Sequence, residues 1–589
     1  MFEAEQQLLQ EKINAYFSDQ NIPTLPEFPW MPVPFAGEWG ISLPLFHFAS
    51  QEAKQSGQRI NIQARAQQLA EGIAAYLGTT PGIQHIEAVK GYLNLYYSTP
   101  EYSQKVIDQV LEQGVSFGCG RPKDEQIMVE FSQPNTHKAF HVGHLRSAIL
   151  GDTLCRILET AGYAVVRANY IGDIGLHVIK WLWNYMNFHS GEEPGEDITR
   201  WMGELYAEAN RRLEDHPEYE ADVRALYSRW DQRDPVVVDL WKKTRQWSFE
   251  GFDKIYAKLD IHFDRVYSNS EAEFPGKAMV QELIEAGIAQ DERPEGPVIV
   301  KIDEQLGLKK EKYRVLVILR SDSTALYSTE DLALAKIKFS DYPDLERSLY
   351  VVDVRQSLHF QQVFKTLELA GYPWAGGCQH IPYEIVNLPG NVVIASREGT
   401  VVLLEDLIRE ATTRARAVVE DKNPTLSEDQ KQEIAVSVGL AALKYPMLAR
   451  ENNRIVTFDW EAALDFNGQA APYIQYAQVR ANSILRKLEG KLPASRPPEH
   501  TLEPAEIELI DRISRLPDEI QRAASELKPL VIANIAYELA RAFTDFYMQC
   551  PVLKAEEDVR NFRLRLVAAA RHTMVNALDL LGIRSPEVM

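Results

Sequence analysis

Several common sequence features are missing from this chain of 589 residues. No apolar run approaches the ~20 residues that cross a bilayer, and the acidic, amphipathic start MFEAEQQLLQEK lacks the basic and apolar parts of a secretory signal. The four cysteines are far apart, with no CxxC motif and no paired Cys/His spacing. These absences argue against a membrane span, a zinc site and a disulfide framework, and they favour a reducing cytoplasm.

Basic residues are also in short supply, with 63 Lys and Arg against 84 Asp and Glu, which gives a net charge of −21. Because phosphate contacts need lysine and arginine, this balance at first argues against a nucleic-acid partner. A local basic face can still bind, whatever the total charge. Two basic clusters, at 479–496 and 560–571, are candidates, although each one alone is more often a solvated helix face.

The order of strand-like and helix-like patterns divides the chain into four parts. Short apolar strands alternate with helical stretches in the second part, which predicts a Rossmann-like catalytic domain with a doubly wound parallel sheet. Its predicted strands are IMVEF, AVVRANYI, VIVKI, RVLVILR, SLYVVDV and HIPYEIVNL. The four parts are an α+β unit at 1–118, with one alternating strand from Ile86 to Ser98; the α/β domain at 119–405, with a charged helical insertion at about 188–233; a helical connection at 406–465; and an all-α domain at 466–589.

The segment EFSQPNTHKAFHVGHLRSAILGD, residues 130–152, contains the most informative motif. A strand gives way there to an amphipathic helix, and His141 and His144 flank Gly143 at the corner. Helix-start N–H groups and the helix dipole favour an anion, imidazoles can donate to phosphate oxygens, and glycine admits a base or phosphate. The corner predicts a phosphate site, although two histidines could equally cap the helix or pack there. Three further side chains are placed to line the same crevice: Glu130, Asn135 and Lys138.

The segment PNTHKAFHVGHLRSAILGD resembles the signature region of class I aminoacyl-tRNA synthetases, specifically that of the arginyl-tRNA synthetase family. HxGH alone would also suit other nucleotidyltransferases of this superfamily, but similar blocks follow in the order of the arginyl family. They are NYIGDIGLH, LYSTEDLALAK, YVVDVRQSLHFQQVF, REGTVVLLEDL, APYIQYAQVRANSIL, RAFTDFYMQCPVL and LDLLGIRSPEVM. The resemblance therefore covers the chain from the N-terminal unit to the last residue.

This resemblance implies a ligase that activates L-arginine with ATP and passes it to the 3′ end of tRNA(Arg), releasing AMP and pyrophosphate. It implies magnesium bound with the ATP, no zinc and no other protein-held metal, and a monomer that needs tRNA for efficient activation. Lys138, His141 and His144 would hold the phosphates, and Gly143 would admit the adenine. The second class signature, KMSKS, is degenerate, because VVIASREGT at 392–400 contains no lysine. Ser396 and Arg397 are its nearest equivalents, and Lys138 is the usual substitute in the family.

The resemblance also implies an arginine pocket. In LYSTEDLA, Tyr327 and Asp331 are one helical turn apart and can face one cavity, although such a pair is often only a cap and a surface group. A carboxylate can meet the planar guanidinium with two hydrogen bonds, which lysine cannot imitate. Whether Asp331 meets the guanidinium or the α-ammonium stays open. The implied pocket comprises Glu130, Asn135, Tyr327, Asp331 and Gln356, with Asp173 and His177 as further candidates.

Candidate tRNA contacts lie at both ends of the chain. Tyr473, Tyr476 and Arg480 recur at helical spacing, which fits core packing but also fits stacking on unpaired bases and pairing with phosphate. The resemblance implies that this helix meets the anticodon loop, with Met589 close by. Asn94 and Tyr96 fall where the family contacts the outer corner of tRNA, although their alternation could equally be sheet packing.

Two other functions remain open at this stage. One is a related synthetase of the glutamyl or cysteinyl type, which acidic pocket residues and isolated cysteines disfavour. The other is a non-catalytic tRNA-binding relative, for which the missing KMSKS lysine is the support.

Overall fold

The structure is a computed structural model of the 589-residue chain, in which residues 3–56, 59–388, 392–393, 403–488 and 490–589 are described. Contacts divide the chain into two compact units. The first unit combines 1–117, 477–518 and 538–576, and the second combines 118–476, 519–537 and 577–589.

The N-terminal part of the first unit is an antiparallel sheet with helices. The elements are α1 (Glu3–Asp19), β1 (Met31–Pro32), β2 (Gly40–Pro44), α2 (Phe46–Ser56), α3 (Ile62–Leu77), β3 (Ile83–Val89), β4 (Tyr92–Tyr97) and α4 (Thr99–Gln113). The sheet has the strand order β1-β2-β4-β3, and α3 buries Leu69, Ile73 and Leu77.

The alternating strand predicted within Ile86–Ser98 is present as β4 at YLNLYY, but the segment also contains the end of β3, so the chain reverses there in a hairpin. Lys90 and Gly91, with φ of 50° and 88°, form the two-residue turn. Positive φ at both central positions gives the twist that suits tight hairpins, and glycine in the second position provides it without steric cost. Alternation continues through the turn, which is why the pattern alone did not reveal the reversal.

The second unit contains the predicted α/β region. Its elements are β5 (Gln126–Glu130), α5 (Val142–Thr160), β6 (Ala164–Ile171), α6 (Leu176–Phe188), α7 (Ile198–Asp215), α8 (Glu220–Asp231), α9 (Pro235–Leu259), β7 (Arg265–Ser268), α10 (Asn269–Glu285), β8 (Gln290–Asp291), β9 (Val298–Lys301), α11 (Ile302–Gln305), β10 (Val315–Leu319), α12 (Tyr327–Asp341), β11 (Leu345–Asp353), α13 (Ser357–Leu369), β12 (Cys378–Tyr383), β13 (Val386–Leu388), β14 (Val392–Val393), α14 (Leu404–Lys422), α15 (Glu428–Leu448), β15 (Val456–Thr457) and α16 (Trp460–Ala463).

A parallel sheet is the centre of this unit, as the sequence predicted. In the described residues its strand order is β12-β11-β5-β6-β7. Glu130, the last residue of β5, lies opposite Ala168 of β6 and Tyr350 of β11. The chain moves from β5 to β6 on one side and reaches β11 on the other, so β5 lies at the switch point where such sheets bind ligands.

Two of the strands predicted for the parallel sheet lie elsewhere, and HIPYEIVNL is divided between β12 of that sheet and β13 of a small sheet with the order β14-β13-β15. The segments VIVKI and RVLVILR form β9 and β10 of a separate antiparallel sheet with the order β10-β9-β8. The parallel sheet instead ends with β7, whose sequence RVYS was not predicted as a strand. Short apolar runs indicate a strand but do not indicate its partner, since pairing depends on contacts distant in sequence.

The predicted helical insertion contains α7 and α8, which pack with α6 and α9 around one apolar cluster. That cluster is rich in tryptophan, including Trp181, Trp183, Trp230, Trp241 and Trp247. The aromatic core gives the insertion its own packing and fixes α7 relative to α6 and α9.

The C-terminal region is helical, as predicted, and consists of α17 (Ala471–Leu485), α18 (Pro504–Glu526), α19 (Pro529–Gln549) and α20 (Glu557–Leu580). Within the first unit, α18 and α20 are joined by a buried ion pair of 2.8 Å between Glu506 and Arg563. Arg565 of α20 also pairs with Asp108 of α4 at 2.5 Å. Over the described part of the chain, no helix combines the length and the apolar character that a membrane crossing requires.

Gly151 generates a stability prediction, because α5 packs there directly on Phe131. A Cβ at Gly151 would lie 2.1 Å from Cγ and 2.3 Å from Cβ of Phe131. We expect Gly151→Ala to destabilise the protein by about 1–3 kcal/mol, since overpacking forces neighbours to shift. The midpoint of thermal unfolding measures this change. Gly376→Ala is the matched control, because nothing lies within 4 Å of its added Cβ; equal midpoints for both variants would contradict the packing argument.

Candidate active site

The loop between β5 and α5 is held in an unusual backbone conformation. Ser132, Gln133 and His137 all have positive φ, at 79°, 30° and 60°. Non-glycine residues adopt this region at an energetic cost and keep it only when their surroundings impose it. The imposed contacts include Thr136 N–H donating to Gly172 O at 2.8 Å and Gly172 N–H donating to Pro134 O at 3.0 Å. The loop is therefore shaped in advance of any ligand.

His137 fixes the middle of this loop from inside the protein. Its backbone N–H donates to Ser248 Oγ at 3.1 Å, and its ring nitrogens lie 2.9 Å and 2.8 Å from the hydroxyls of Thr136 and Thr244. The Thr244 hydroxyl also donates to Leu240 O at 3.0 Å, and the Thr136 hydroxyl donates to Gly172 O at 3.2 Å. Burial lowers the pKa of His137 well below its ordinary value, so the ring is neutral. Sequence reasoning gave this residue no role.

The two histidines of the HVGH motif cap the start of α5 with their Nδ1 atoms. His141 Nδ1 accepts from Gly143 N–H at 3.1 Å, and His144 Nδ1 accepts from His141 N–H at 3.3 Å. The rings stack with centroids 3.9 Å apart. Because each Nδ1 is an acceptor, the proton of each neutral ring is on Nε2, which can donate to a ligand. Capping and ligand binding are therefore compatible here.

Both rings are neutral at physiological pH. Burial and then the nearby Lys138 ammonium lower the pKa of His141 to about 4. Burial, His141 and Lys138, in that order, lower the pKa of His144 well below its usual value. Lys138, together with the helix dipole, thus provides positive charge at the corner, and the imidazoles provide uncharged donors.

Gly143 and Lys138 complete the corner. A Cβ at Gly143 would lie 2.8 Å from His141 Cε1, so the glycine makes room for the folded-back imidazole. Lys138 Nζ lies 5.1 Å from the ring centroid of Tyr206 on α7. Burial and then Lys138 lower the pKa of His177 to about 3, and His177 Nε2 is buried without a hydrogen-bond partner among the described residues.

A group of carboxyls converges on Tyr170, next to the corner. Burial raises the pKa of Tyr170 well above its ordinary value, and neighbouring carboxyl groups raise it further. Those groups are Asp331, Glu330, Glu130 and Asp173. A site with this many acidic groups near one buried hydroxyl fits a cationic ligand.

Two of these carboxylates already have cationic partners. Glu130, only 2% exposed, pairs at 2.5 Å with Lys338, which is fully buried, and it also accepts from Gln133 Nε2 at 3.1 Å. Asp173 accepts from the backbone N–H and hydroxyl of Ser270 at 2.8 Å and 2.6 Å, and Arg245 Nε lies 2.8 Å away. These two groups are parts of the framework of the site.

The other two carboxyls lie next to each other on α12. Asp331 is 15% exposed, and its Oδ2 lies 2.6 Å from His359 Nε2. Glu330 accepts from Asn269 Nδ2. Burial and then Asp331 raise the pKa of Glu330 to about 8, so Glu330 is largely protonated at neutral pH. Sequence reasoning missed Glu330, Lys338 and His359, because their roles depend on partners distant in the chain.

The remaining predicted pocket residues differ in their placement. Asn135 pairs with Gly172 in an isolated parallel bridge, close to Asn269. Tyr327 is 71% exposed at the first residue of α12, and Gln356 is exposed in the 3₁₀ turn before α13. The structure thus gathers most of the predicted phosphate and arginine residues but leaves these two on the solvent side. Ser396 and Arg397 lie outside the described residues.

Asn94 and Tyr96 lie on the more accessible face of β4, whereas Leu93, Leu95 and Tyr97 point into the core. Asn94 Oδ1 accepts from Ser42 Oγ at 2.7 Å, and Tyr96 stacks on His85 with centroids 4.3 Å apart. The alternative of sheet packing therefore applies to Tyr97 more than to Tyr96.

The candidate tRNA contacts of the C-terminal region are all partly buried. The Tyr473 ring centroid lies 5.6 Å from that of Tyr537, and Tyr476 meets Phe466 edge-on at 6.3 Å. The Arg480 guanidinium lies 5.3 Å from the Tyr547 ring centroid, and Met589 packs against the apolar cluster of α14 and α15.

Comparisons with known proteins agree with this geometry. Residues 106–460 match the family described as tRNA synthetases class I (R), catalytic domain, and residues 474–589 match the DALR anticodon binding domain. The chain belongs to the arginyl class I tRNA synthetase family. The resemblance drawn from the motifs, the fold class and the helical anticodon-binding domain are thereby confirmed.

Individual relatives match over nearly their whole length. The chain is 33% identical to the Clostridium perfringens arginine–tRNA ligase over 573 residues, which is 97% of each chain. It is 34% identical to the enzyme of that name from Treponema pallidum, over 94% of each chain. The solved Thermus thermophilus arginyl-tRNA synthetase superposes with a TM-score of 0.77 at 27% identity, covering 99% of this chain and 100% of that one.

Glu330 generates a prediction on pH and stability. Its carboxyl has a folded-state pKa of about 8, against an ordinary value near 4.5. A raised pKa stabilises the fold below the ordinary value, and that contribution is lost as the pH rises through about 8. Glu330→Gln removes the titration, so the stability of this variant relative to the unchanged protein should increase between pH 5 and 8, by on the order of a few kcal/mol.

Thermal midpoints at pH 5.5, 7 and 8.5 measure this effect. Glu285→Gln, an exposed position on α10, is the control and should follow the unchanged protein at every pH. If the midpoint of Glu330→Gln differs from that of the unchanged protein by the same amount at all three pH values, the Glu330 carboxyl does not titrate in this range.

Proposed function

We propose that this chain is an arginine–tRNA ligase that forms arginyl-adenylate from L-arginine and ATP and then transfers arginine to tRNA(Arg). One observation carries the proposal best. A corner with uncharged donors and one ammonium, at Lys138, His141 and His144, lies beside a group of carboxyls at the end of the same central strand. The first set suits a polyphosphate, and the second suits a cationic amino acid.

On the ATP side, the Nε2–H groups of His141 and His144 donate to phosphate oxygens, and Lys138 offsets part of the phosphate charge. Gly143, whose missing side chain makes room for the His141 ring, is proposed to meet the adenine. Ser396 and Arg397 are proposed for the triphosphate because they are the nearest equivalents of the second signature in the sequence. ATP enters as its magnesium complex, because phosphates and water are the usual ligands of that ion. The described residues contain no group of three or more His, Cys, Asp or Glu side chains with metal-binding geometry, so no residue of this chain is assigned to the magnesium.

On the arginine side, Asp331 is the best partner for the guanidinium. Asp331 is more accessible than Glu130, and its contact is with His359. Glu130 is already paired with the buried Lys338. Asn135 lies beside Gly172 and offers a neutral amide to the α-amino or carboxylate end. Tyr327 and Gln356, which are exposed here, cover arginine from the solvent side.

The chemistry needs positioning more than covalent catalysis. A carboxylate oxygen of arginine attacks the α-phosphorus of ATP, the bond from that phosphorus to the bridging oxygen breaks, and pyrophosphate leaves. A ribose hydroxyl at the 3′ end of tRNA then attacks the carbonyl carbon of the adenylate, and AMP leaves. Lys138 stabilises negative charge on the phosphates in the first step.

The tRNA contacts are proposed at both ends of the chain. Asn94 and Tyr96 offer an amide and a ring from an accessible strand face, which fits the backbone and bases at the outer corner of tRNA. Tyr473, Tyr476, Arg480 and Met589 are proposed for the anticodon loop, because partly buried tyrosines and an arginine suit base stacking and phosphate pairing.

We also propose that the enzyme works in the cytoplasm as a monomer. The cysteines Cys119, Cys155, Cys378 and Cys550 are unpaired, as in a reducing compartment.

Pyrophosphate exchange into ATP tests the function. We expect exchange with arginine, stimulated by tRNA(Arg). We expect none with glutamate, because an acidic pocket repels its anionic side chain, and none with cysteine, because its short neutral side chain cannot pair with Asp331 as a guanidinium can. Exchange with glutamate or cysteine would contradict the arginine assignment. Tight tRNA binding without exchange for any amino acid would instead indicate a non-catalytic relative.

Asp331→Ala tests the pocket. Loss of a charge-assisted contact to the guanidinium should raise the KM for arginine by about 30- to 100-fold, while the KM for ATP changes by about twofold or less. The measurement is tRNA-dependent exchange with each substrate varied in turn. Asp341→Ala, a more exposed carboxylate at the end of the same helix, is the matched control and should leave both constants near their original values. An equal loss for arginine and ATP would remove Asp331 from the pocket.

A further inference from the structure

The helical insertion reaches the active-site corner through α7. Gly203 faces Ala139, and a Cβ at Gly203 would lie 2.6 Å from Ala139 Cβ and 3.0 Å from its backbone nitrogen. Only glycine allows the helix this close to the loop, so α7 touches the chain directly after Lys138. The insertion therefore forms a wall of the site.

The start of α14 connects α7 to the same loop. Thr199 Oγ1 donates to Glu405 Oε1, and Arg200 pairs with Asp406 at 2.5 Å. Leu404 N–H, in the same turn of α14, donates to Phe140 O at 3.1 Å. The helices α7 and α14 and the loop thus meet around residues 138–140. The position of α7 therefore affects the position of the loop.

Tyr206 is one turn beyond Gly203 and shares its face of α7. Lys138 Nζ lies 5.1 Å from its ring centroid, within the distance at which an aromatic face attracts an ammonium. The Tyr206 ring is therefore a neighbour of the lysine that is proposed for ATP.

We propose that Tyr206 is a positioning residue for Lys138, through which the helical insertion contributes to adenylate formation. This inference rests on the proposed function of the corner. A lysine side chain has four rotatable bonds and loses much conformational freedom when its ammonium is fixed. A ring face that already restrains the ammonium reduces this loss when ATP binds. No lysine is present in the segment at 392–400 that matches the second class signature, so the placement of Lys138 matters more here.

Packing is the alternative role of Tyr206, because aromatic residues on helices often only fill space. The two roles differ in their dependence on Lys138. A packing residue affects the enzyme whether or not the ammonium is present, whereas a positioning residue loses its effect when the ammonium is removed. A double-mutant comparison separates them.

The experiment measures tRNA-dependent pyrophosphate exchange for the unchanged enzyme, Tyr206→Leu, Lys138→Ala and the double variant. We expect Tyr206→Leu to lower kcat/KM for ATP about three- to tenfold, the size of a partly exposed cation–π contact, with the KM for arginine changed by about twofold or less. Tyr206→Phe keeps the ring and should retain activity within about twofold. In the Lys138→Ala background, Tyr206→Leu should have no further effect.

Several outcomes would overturn the inference. One is that Tyr206→Leu has an undiminished effect in the Lys138→Ala background. Another is that Tyr206→Phe loses as much kcat/KM for ATP as Tyr206→Leu does. A third is that Tyr206→Leu impairs the use of arginine as much as the use of ATP. If Tyr206→Leu does not fold, Tyr206→Met keeps the bulk without the ring face and takes its place. The controls separate the two proposals. If the unchanged enzyme shows no arginine-dependent exchange, the proposed function is contradicted. If the unchanged enzyme and Tyr206→Leu both show normal exchange, only this inference is contradicted.

Discussion

Glu130 is the last residue of the central strand β5, and its carboxylate is buried. The rest of the site depends on the neutralisation of this buried charge. Lys338 of α12 supplies the counter-charge at 2.5 Å, and its ammonium also lies 3.8 Å from the ring centroid of Tyr350 on the neighbouring strand. Removing one partner of such a pair leaves a buried charge alone, at a cost of several kcal/mol. The pair therefore fixes α12 relative to β5. Glu330 and Asp331 are also on α12, so the proposed arginine side of the site depends on this ion pair. The loop that leads to His141 begins at Glu130, so the proposed ATP side depends on the pair as well.

The parts of this site that the sequence predicted are those whose signals are local. The HVGH corner combines the end of an apolar strand, a glycine and a helix start within about fifteen residues, and α5 then shows its buried stripe directly. The same holds for the α/β class and the helical C-terminal region, since helical periodicity and short apolar strands repeat along the chain. The family resemblance added roles to residues such as Lys138 and Asp331, which local pattern alone does not distinguish from surface charges.

The parts that could not be predicted depend on contacts distant in sequence. Glu130 and Lys338 are 208 residues apart, and neither position shows from its neighbours that it is buried or paired. The same limit explains why β9 and β10 were assigned to the wrong sheet and why β7 was missed, because strand composition does not specify a partner. It also explains Glu330, which reads as an ordinary helix-surface residue until burial beside Asp331 raises its pKa to about 8.

The distribution of charge across the corner has a consequence for the reaction. Arginine brings a carboxylate to a triphosphate, so two anions must approach each other, and positive charge is needed near both. In the proposed site Lys138 provides it, while the pKa of His141, lowered to about 4, keeps that imidazole an uncharged donor. Two imidazolium rings beside Lys138 would bind the phosphates more strongly in the ground state and would also hold the pyrophosphate after the bond breaks. In the proposed site, neutral donors hold the phosphates without the two additional cations that would favour the bound states over the transition state. Burial of the two rings thus belongs to the proposed chemistry, because it is the main reason that they stay uncharged.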